Sequence, residues 1–296
     1  MKTIVVSLGG NALTKKGERG SYKELVRNIN NITKRLVPLF RYSVALVSGS
    51  GPQIGNLLLQ NEKGREIIPA MPLYVLDAEL EGELGFLIEE SIDNLKKKEA
   101  LTLITRVLVD KKDKAFRNPT KFVGPYYKKK QKGGVFEKDP RGGFRRVVAS
   151  PKPLKIIEDN AIKEMMKEHV VICAGGGGIP VYYNKGKLNG VEAVIDKDLA
   201  SACLANSINA DEMIILTDVS NAYLNFKKKN QVKINKIKLK NITKYFKQGH
   251  FGEGSMGPKV EAAIEFLSKK GKRVIITNPE NLEKALRGKT GTVITR

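Results

Sequence analysis

Three lysines, one aspartate and four glycine-rich turns are the parts of this chain with chemistry to offer. The turns are Gly9-Gly10-Asn11, Gly49-Ser50-Gly51, Gly175 to Gly178, and Gly254-Ser255-Met256-Gly257-Pro258-Lys259. The first three close apolar, β-branched runs, and the fourth opens a late helical stretch. Residues without side chains let backbone N–H groups approach an anion, and the start of a following helix adds its positive end. Pro52, just past Gly51, suits such a helix start. A single glycine turn most often only reverses the chain. Four at the carboxyl edge of one sheet point to a phosphate or nucleotide site.

The lysines fit the same chemistry. Lys197 stands between Asp196 and Asp198 after the apolar run Ala193-Val194-Ile195, at the start of a small-residue helix. An exposed triplet of this kind would be worth little. The apolar approach predicts that at least one member is partly buried, where a lysine oriented by Asp198 suits a moving phosphoryl group. Lys259 falls in the first turn of a helix after a glycine loop, and Lys121 sits in the proline-flanked stretch "NPTKFVGP". Phosphoryl transfer needs cations on the non-bridging oxygens, N–H groups around donor and acceptor, and Mg²⁺ brought to the phosphates. It needs no general base when the acceptor is already an anion. The motif G-x-x-x-x-G-K-[ST] is absent. "GSGPQIG" fits a dinucleotide fingerprint poorly, because it follows the second strand and carries Pro52 in its middle.

These residues must be held by a frame. Apolar runs at 3–8, 43–48, 101–109, 169–174, 212–219, 273–277 and 292–295 read as strands. Helical patterns at 21–38, 52–60, 74–97, 156–168, 198–207, 257–270 and 279–286 lie between them. Continuous apolar strands imply a sheet covered on both faces, and the alternation predicts an α/β fold: a three-layer α/β/α sandwich with a mostly parallel central sheet. Residues 113–152 break the rhythm and read as an inserted lid subdomain, with Tyr126, Tyr127 and Phe144 filling its small core. The alternating Ile/Lys stretch near 225–240 reads as a short hairpin.

Composition bounds the rest. The 296 residues carry a formal charge of +22, with no Trp, two His and two Cys. Residues 111–155 and 227–247 hold almost the whole excess. A solvated lysine-rich surface that steers an anionic substrate accounts for it, since no nucleic-acid-binding motif accompanies the charge. Two histidines make a His-based metal centre or triad a poor expectation, and His169 and His250 read as structural. Cys173 and Cys203 have no metal or redox spacing. No apolar run reaches the ~20 residues of a membrane span, and no leader pattern precedes the first strand, so a cytoplasmic chain is expected.

In order along the chain, "SLGGNAL", "GPQIGNLLL", "DKKDKAFRNPTKFVGPYY", "RRVVASPKP", "AGGGGIPV", "GVEAVIDKDLA", "LTDV", "GHFGEGSMGPKVEAAI" and "GKTGT" resemble the carbamate kinases of the amino acid kinase superfamily. The resemblance implies one amino-acid-kinase domain over 1–296. An acceptor-binding half at 1–190 would carry the protruding subdomain at 113–152, and 191–296 would bind nucleotide. It implies a homodimer and a reversible reaction, carbamoyl phosphate plus ADP giving carbamate plus ATP, with Mg²⁺. Carried over residue by residue, Lys121, Lys197 and Lys259 surround the moving phosphoryl group and Asp198 orients lysines. Gly9, Gly10, Asn11, Gly49, Ser50, Gly51, Gly175 and Gly176 cradle acceptor and phosphate. Asp218, Val219, Ser255, Met256, Gly257 and Pro258 belong to the nucleotide. No resident metal site is implied.

The departures from the family pattern cluster. Ser48-Gly49-Ser50-Gly51-Pro52-Gln53 stands where the family reads His-Gly-Asn-Gly-Pro-Gln. Pro72-Leu73-Tyr74 and Ala78-Glu79-Leu80-Glu81-Gly82 stand for Pro-Leu-Asp and Ala-Met-Ser-Gln-Gly. All lie on the acceptor side, and both Glu79 and Glu81 are expected to bring negative charge close to the site. Two alternatives therefore stand beside a carbamate acceptor. One is a kinase of the same fold acting on another small carboxylate or phosphate. The other is a basic nucleic-acid-binding chain without catalysis.

Overall fold

The computed structural model describes every residue except Lys16, Pro140, Arg141, Lys227 and Glu253–Ser255, and leaves the side chains of Asn11 and Ala12 undescribed. Its frame is an eight-stranded sheet. From one edge to the other the strands run Lys236–Lys238, Thr292–Thr295, Arg273–Thr277, Glu212–Leu216, Thr3–Leu8, Ser43–Ser48, Val170–Cys173 and Ala100–Leu103. Every neighbouring pair is parallel except Arg273–Thr277 with Thr292–Thr295. The central strands are mostly apolar because both faces are covered. Thr3–Leu8 sends Val5 into one buried cluster and Ile4, Val6 and Leu8 into the other, so alternate side chains serve opposite layers. The expected α/β sandwich with a mostly parallel sheet is the observed one.

The helices begin where their sequences provide for it. Tyr22–Leu36 starts behind Ser21, whose backbone N–H donates to Glu24 Oε2 at 2.9 Å. Gly51–Gly64 starts directly from the second glycine turn, with Pro52 in its second position. Lys197–Ser207 is capped by Asp196, whose Oδ1 accepts from the N–H groups of Asp198 (2.9 Å) and Leu199 (3.4 Å).

The strand expected over 101–109 is two strands. Ala100–Leu103 forms the sheet edge, and Arg106–Val109 turns into a separate four-stranded sheet with Ile179–Asn184, Lys187–Gly190 and Pro153–Ile156. The break falls at Thr105, whose backbone N–H is taken by Glu81 Oε2 at 3.0 Å instead of a neighbouring strand. The stretch near 225–240 is only in part a hairpin. Tyr223–Leu224 pairs with Val232–Lys233, Lys236–Lys238 joins the main sheet, and Leu239–Lys247 is a helix. The eight lysines described in 227–247 are all exposed, as are Lys128, Lys129 and Lys130.

The inserted segment carries its own antiparallel sheet, ordered Lys121–Tyr127, Phe144–Val148, Phe136–Lys138. Tyr127 meets Phe136 edge-on at 5.7 Å within it, whereas Tyr126 is half exposed under the Arg145 guanidinium rather than buried in a core. One joint fixes this sheet to the body. Gly55, in the helix Gly51–Gly64, lies so close to Gly124 that a Cβ on Gly55 would stand 1.9 Å from the Gly124 nitrogen. Gly124 has a φ of +70°, so it too is best served by glycine. Gly55→Ala is therefore expected to push Lys121–Tyr127 away from the body, lowering stability by ~1–3 kcal/mol. Thermal melts compare it with the parent chain, and an unmoved midpoint would show that the joint gives way freely.

Candidate active site

The functional cluster forms where three strands end. Gly49 N–H donates to the Leu8 carbonyl at 2.9 Å, and Gly9 N–H donates to the Leu216 carbonyl at 3.0 Å, so the first two glycine turns lie side by side. A Cβ on Gly49 would meet the Gly10 nitrogen and Lys197 Cδ, both at 2.9 Å. Glycine is thus what allows the Lys197 side chain to pass between the turns. Gly10 opens a short helical turn, and nothing is described of the Asn11 side chain.

At the centre stands Asp198, whose side chain is 3% exposed. Its Oδ1 accepts from Lys197 Nζ (2.6 Å) and from Ser7 Oγ (2.6 Å), and its Oδ2 from Lys259 Nζ (3.0 Å). Lys197 Nζ also donates to Ser7 Oγ at 2.7 Å. The third lysine joins through the neighbouring carboxylate: Lys121 Nζ reaches Asp196 Oδ2 at 2.6 Å. All four residues expected at the centre therefore meet around one helix start, Lys197–Ser207. Burial alone would raise the Asp198 pKa, but the adjacent Lys197 and Lys259 ammonium groups hold it well below the usual carboxylate range. Asp196 is likewise lowered, against its burial, chiefly by Lys121. For Lys197, burial wins and its pKa falls despite Asp198. For Lys259, burial is overcome by Asp198 and Asp196, and its pKa rises.

The residues expected on the nucleotide side lie near Lys259 in the chain or in its field. Met256, Gly257 and Pro258 form the first turn of its helix, Met256–Ser268, and Gly257 N–H donates to the Gly252 carbonyl at 2.9 Å. Asp218 and Val219 follow the strand Glu212–Leu216, and the Asp218 carboxylate adds to the field that raises Lys259. Ser255 lies outside the described residues.

On the acceptor side, Gly175–Gly177 form a tight turn after Val170–Cys173. Gly176, at a φ of +70°, faces Ser50: a Cβ there would be 2.6 Å from Ser50 Oγ. Gly51 is the first residue of its helix, and a Cβ on it would approach the Phe122 carbonyl at 3.7 Å, so it borders the inserted sheet. The two glutamates separate. Glu79 is exposed and stands off the site, contrary to expectation, because it falls on the outer face of the helix Leu73–Asp93. Glu81 is 3% exposed and accepts from Gly175 N–H (2.9 Å) and Thr105 N–H (3.0 Å), tying the glycine turn to the strand break. Burial outweighs these two donors and raises its pKa to about 8. Tyr74 packs against Gly190, where a Cβ would stand 2.3 Å from its ring.

Sequence reasoning passed over Ser7, Asp77 and the capping role of Asp196. Ser7 was detectable as a hydroxyl within the apolar run of Thr3–Leu8, next but one to a glycine turn. Asp77 was detectable as an acid on the stripe Leu73, Leu76, Leu80, Leu84, at helical spacing. The minor residues are structural: His250 Nδ1 lies 3.1 Å from Asn225 Oδ1, and burial pushes both cysteine thiols upward.

A glycine-lined strand edge with lysines organised by one buried aspartate, on this sheet, defines a phosphotransferase of the amino acid kinase fold. The sequence profile of the amino acid kinase family matches residues 2–278, and the chain belongs to that family. It is 43% identical to the carbamate kinase of Pyrococcus horikoshii, over 99% of this chain and 98% of that one. It is 43% identical to carbamate kinase 2 of Staphylococcus aureus, over 98% of both. Among solved structures it resembles the Giardia lamblia carbamate kinase bound to AMP-PNP, with a TM-score of 0.91 and 42% identity over 99% of this chain and 98% of that one.

Two outcomes follow from the electrostatics. Asp198→Asn leaves two buried lysines without their shared counter-charge, so a loss of ~3–5 kcal/mol is expected in denaturant titrations. Unchanged stability would mean that water screens the pair. Glu81 is a carboxyl whose folded pKa lies above its unfolded value. Its stabilising contribution is complete below about pH 4.3 and disappears as pH rises through about 8. The melting temperature of the parent chain should therefore fall from pH 6 to 8.5 more steeply than that of Glu81→Gln. Parallel slopes would place the charged form of Glu81 in the folded state.

Proposed function

We propose that this chain is a carbamate kinase, interconverting carbamoyl phosphate plus ADP and carbamate plus ATP. The observation that carries this is the Lys197–Asp198–Lys259 bridge at a helix start between two glycine turns, in a chain over 40% identical to carbamate kinases along nearly its whole length. A phosphoryl group in transfer spreads charge over three equatorial oxygens, and fixed cations there lower the barrier without any covalent step. Lys197 and Lys259 supply two of them. Two of the three N–H donors on Lys197 are used by Ser7 and Asp198, which fixes the direction of the third. Lys121 enters from the inserted sheet, so the lysine set is complete only when that sheet rests on the body. This supports reading residues 113–152 as a lid. Residues 1–190 then hold the acceptor and 191–296 the nucleotide.

The amide groups of Gly9, Gly10, Asn11, Gly49, Ser50, Gly51, Gly175 and Gly176 line the acceptor and the transferred phosphate in this account. Asp218, Val219, Ser255, Met256, Gly257 and Pro258 serve the nucleotide. Carbamate is an anion already, so its oxygen attacks without a base.

Mg²⁺ belongs to the reaction as a companion of ATP or ADP, neutralising phosphate charge. The donor set suits that arrangement: the Asp196 and Asp198 carboxylates are engaged by lysines and backbone N–H groups. Among the described residues no cluster of acids, His or Cys has the form of a metal cage. A homodimer and a cytoplasmic location are included in the proposal on the strength of the resemblance, and no described helix is long and apolar enough to cross a membrane.

Lys121→Ala, Lys197→Ala and Lys259→Ala should each cut ATP formation from carbamoyl phosphate and ADP by ~10²-fold or more. ADP binding, followed by calorimetry, should persist. Full turnover in all three variants would remove the lysines from the mechanism.

A further inference from the structure

Behind the lysine cluster lies a group of buried polar atoms that find no hydrogen-bond partner among the described residues. Asp77 is 4% exposed and its Oδ2 has no hydrogen-bond partner. The hydroxyls of Ser48 and Ser50, residues 1% and 2% exposed, have none either. Each such atom costs ~1–3 kcal/mol in a folded protein unless something outside the chain satisfies it, so three close together suit a bound polar group.

They lie together, and in line with the reacting centre. A Cβ on Gly176 would be 2.6 Å from Ser50 Oγ and 3.9 Å from Asp77 Oδ1, and one on Gly175 would be 3.5 Å from Ser48 Oγ. Gly49, directly before Ser50, packs on the Lys197 side chain. Lys197, Gly49, Ser50, Gly176 and Asp77 therefore form one continuous wall. It runs from the ammonium groups that would hold the phosphoryl group to a carboxyl at the far end.

We propose that Asp77 is the residue that selects the acceptor, by accepting an N–H from the amino end of the carbamoyl group while the Ser50 hydroxyl bonds the same group from the adjoining turn. This deepens the carbamate kinase assignment and rests on it. The electrostatics agree. Burial first, then the Glu81 and Glu192 carboxylates, raise the Asp77 pKa well above the usual range and favour the neutral form. Glu192 is fixed there by Leu73 N–H at 3.0 Å, and Glu81 by its two amide donors. A neutral carboxyl presents one acceptor and one donor on a single edge. That edge matches H₂N–C=O, which presents one donor and one acceptor. A substrate with methyl in place of the amino group leaves Asp77 unpartnered, and one with a second carboxylate meets three acidic side chains. The arrangement selects for N–H and against both.

The test compares carbamoyl phosphate with acetyl phosphate, which carries methyl where the former carries NH₂, each with ADP. The parent chain should prefer carbamoyl phosphate. In Asp77→Val the ratio of the two kcat/KM values should fall ~10-fold or more, with the KM for ADP unchanged. Asp77→Asn, which keeps a donor and an acceptor, should retain most of the preference. Ser50→Ala is the second variant and should lower the ratio in the same direction. A residue that only shapes the pocket would lower both substrates alike, so an unmoved ratio in Asp77→Val and Ser50→Ala overturns the proposal. Failure of the parent chain to turn over carbamoyl phosphate overturns the carbamate assignment itself, and this selection with it.

Discussion

The site depends on a single carboxylate shared by two buried ammonium groups. Asp198 holds Lys197 on one oxygen and Lys259 on the other, and these lysines come from two different helices, Lys197–Ser207 and Met256–Ser268. Burial works against the charge of both lysines, and the Asp198 carboxylate opposes it in each case. The carboxylate itself tolerates burial because it is surrounded by donors: two ammonium groups and the Ser7 hydroxyl. Asp196 then does two tasks one residue away. One oxygen caps the helix and the other anchors Lys121 from the inserted sheet. A few carboxylate oxygens thus set the positions of all three lysines.

Close backbone approach is the second constraint, and glycine is the means. Lys197 passes between the first two turns because Gly49 has no side chain, and the inserted sheet packs closely on the body where Gly55 and Gly124 touch main chain to main chain. The same economy places the Gly175–Gly177 turn under Ser50. Cations, amide donors and the lid strand converge within a few ångströms because little side-chain volume lies between them.

The two ends of the site differ in electrostatic character. The phosphoryl end is cationic and its charges are paired. The end around Glu81 and Asp77 is acidic and only partly satisfied, with Glu81 bonded to two amides and Asp77 Oδ2 without a partner among the described residues. The chain gives up stability there, as binding sites do when their polar groups await a substrate. The surrounding surface, by contrast, is strongly basic, with the lysines of 227–247 that are described all exposed. Such a surface raises the local concentration of anionic substrates without touching the chemistry.

The sequence by itself determined the class of fold and the identity of the central residues. Continuous β-branched runs between helical stretches can only be buried as a covered, mostly parallel sheet, and glycine turns at the ends of those runs mark the ligand edge. Lys197, Asp198 and Lys259 could be singled out by their local setting at helix starts, while Lys121 came chiefly from the family resemblance. Tertiary structure decided what local pattern cannot encode. It divided 101–109 between two sheets, because Glu81 from a distant helix takes the Thr105 amide. It turned Glu79 outward and Glu81 inward, a matter of helical phase against a neighbour the sequence does not name. It made Ser7 and Asp196 partners of the lysines and left Asp77 without one, since whether a buried polar group is satisfied depends on what the rest of the chain brings to it.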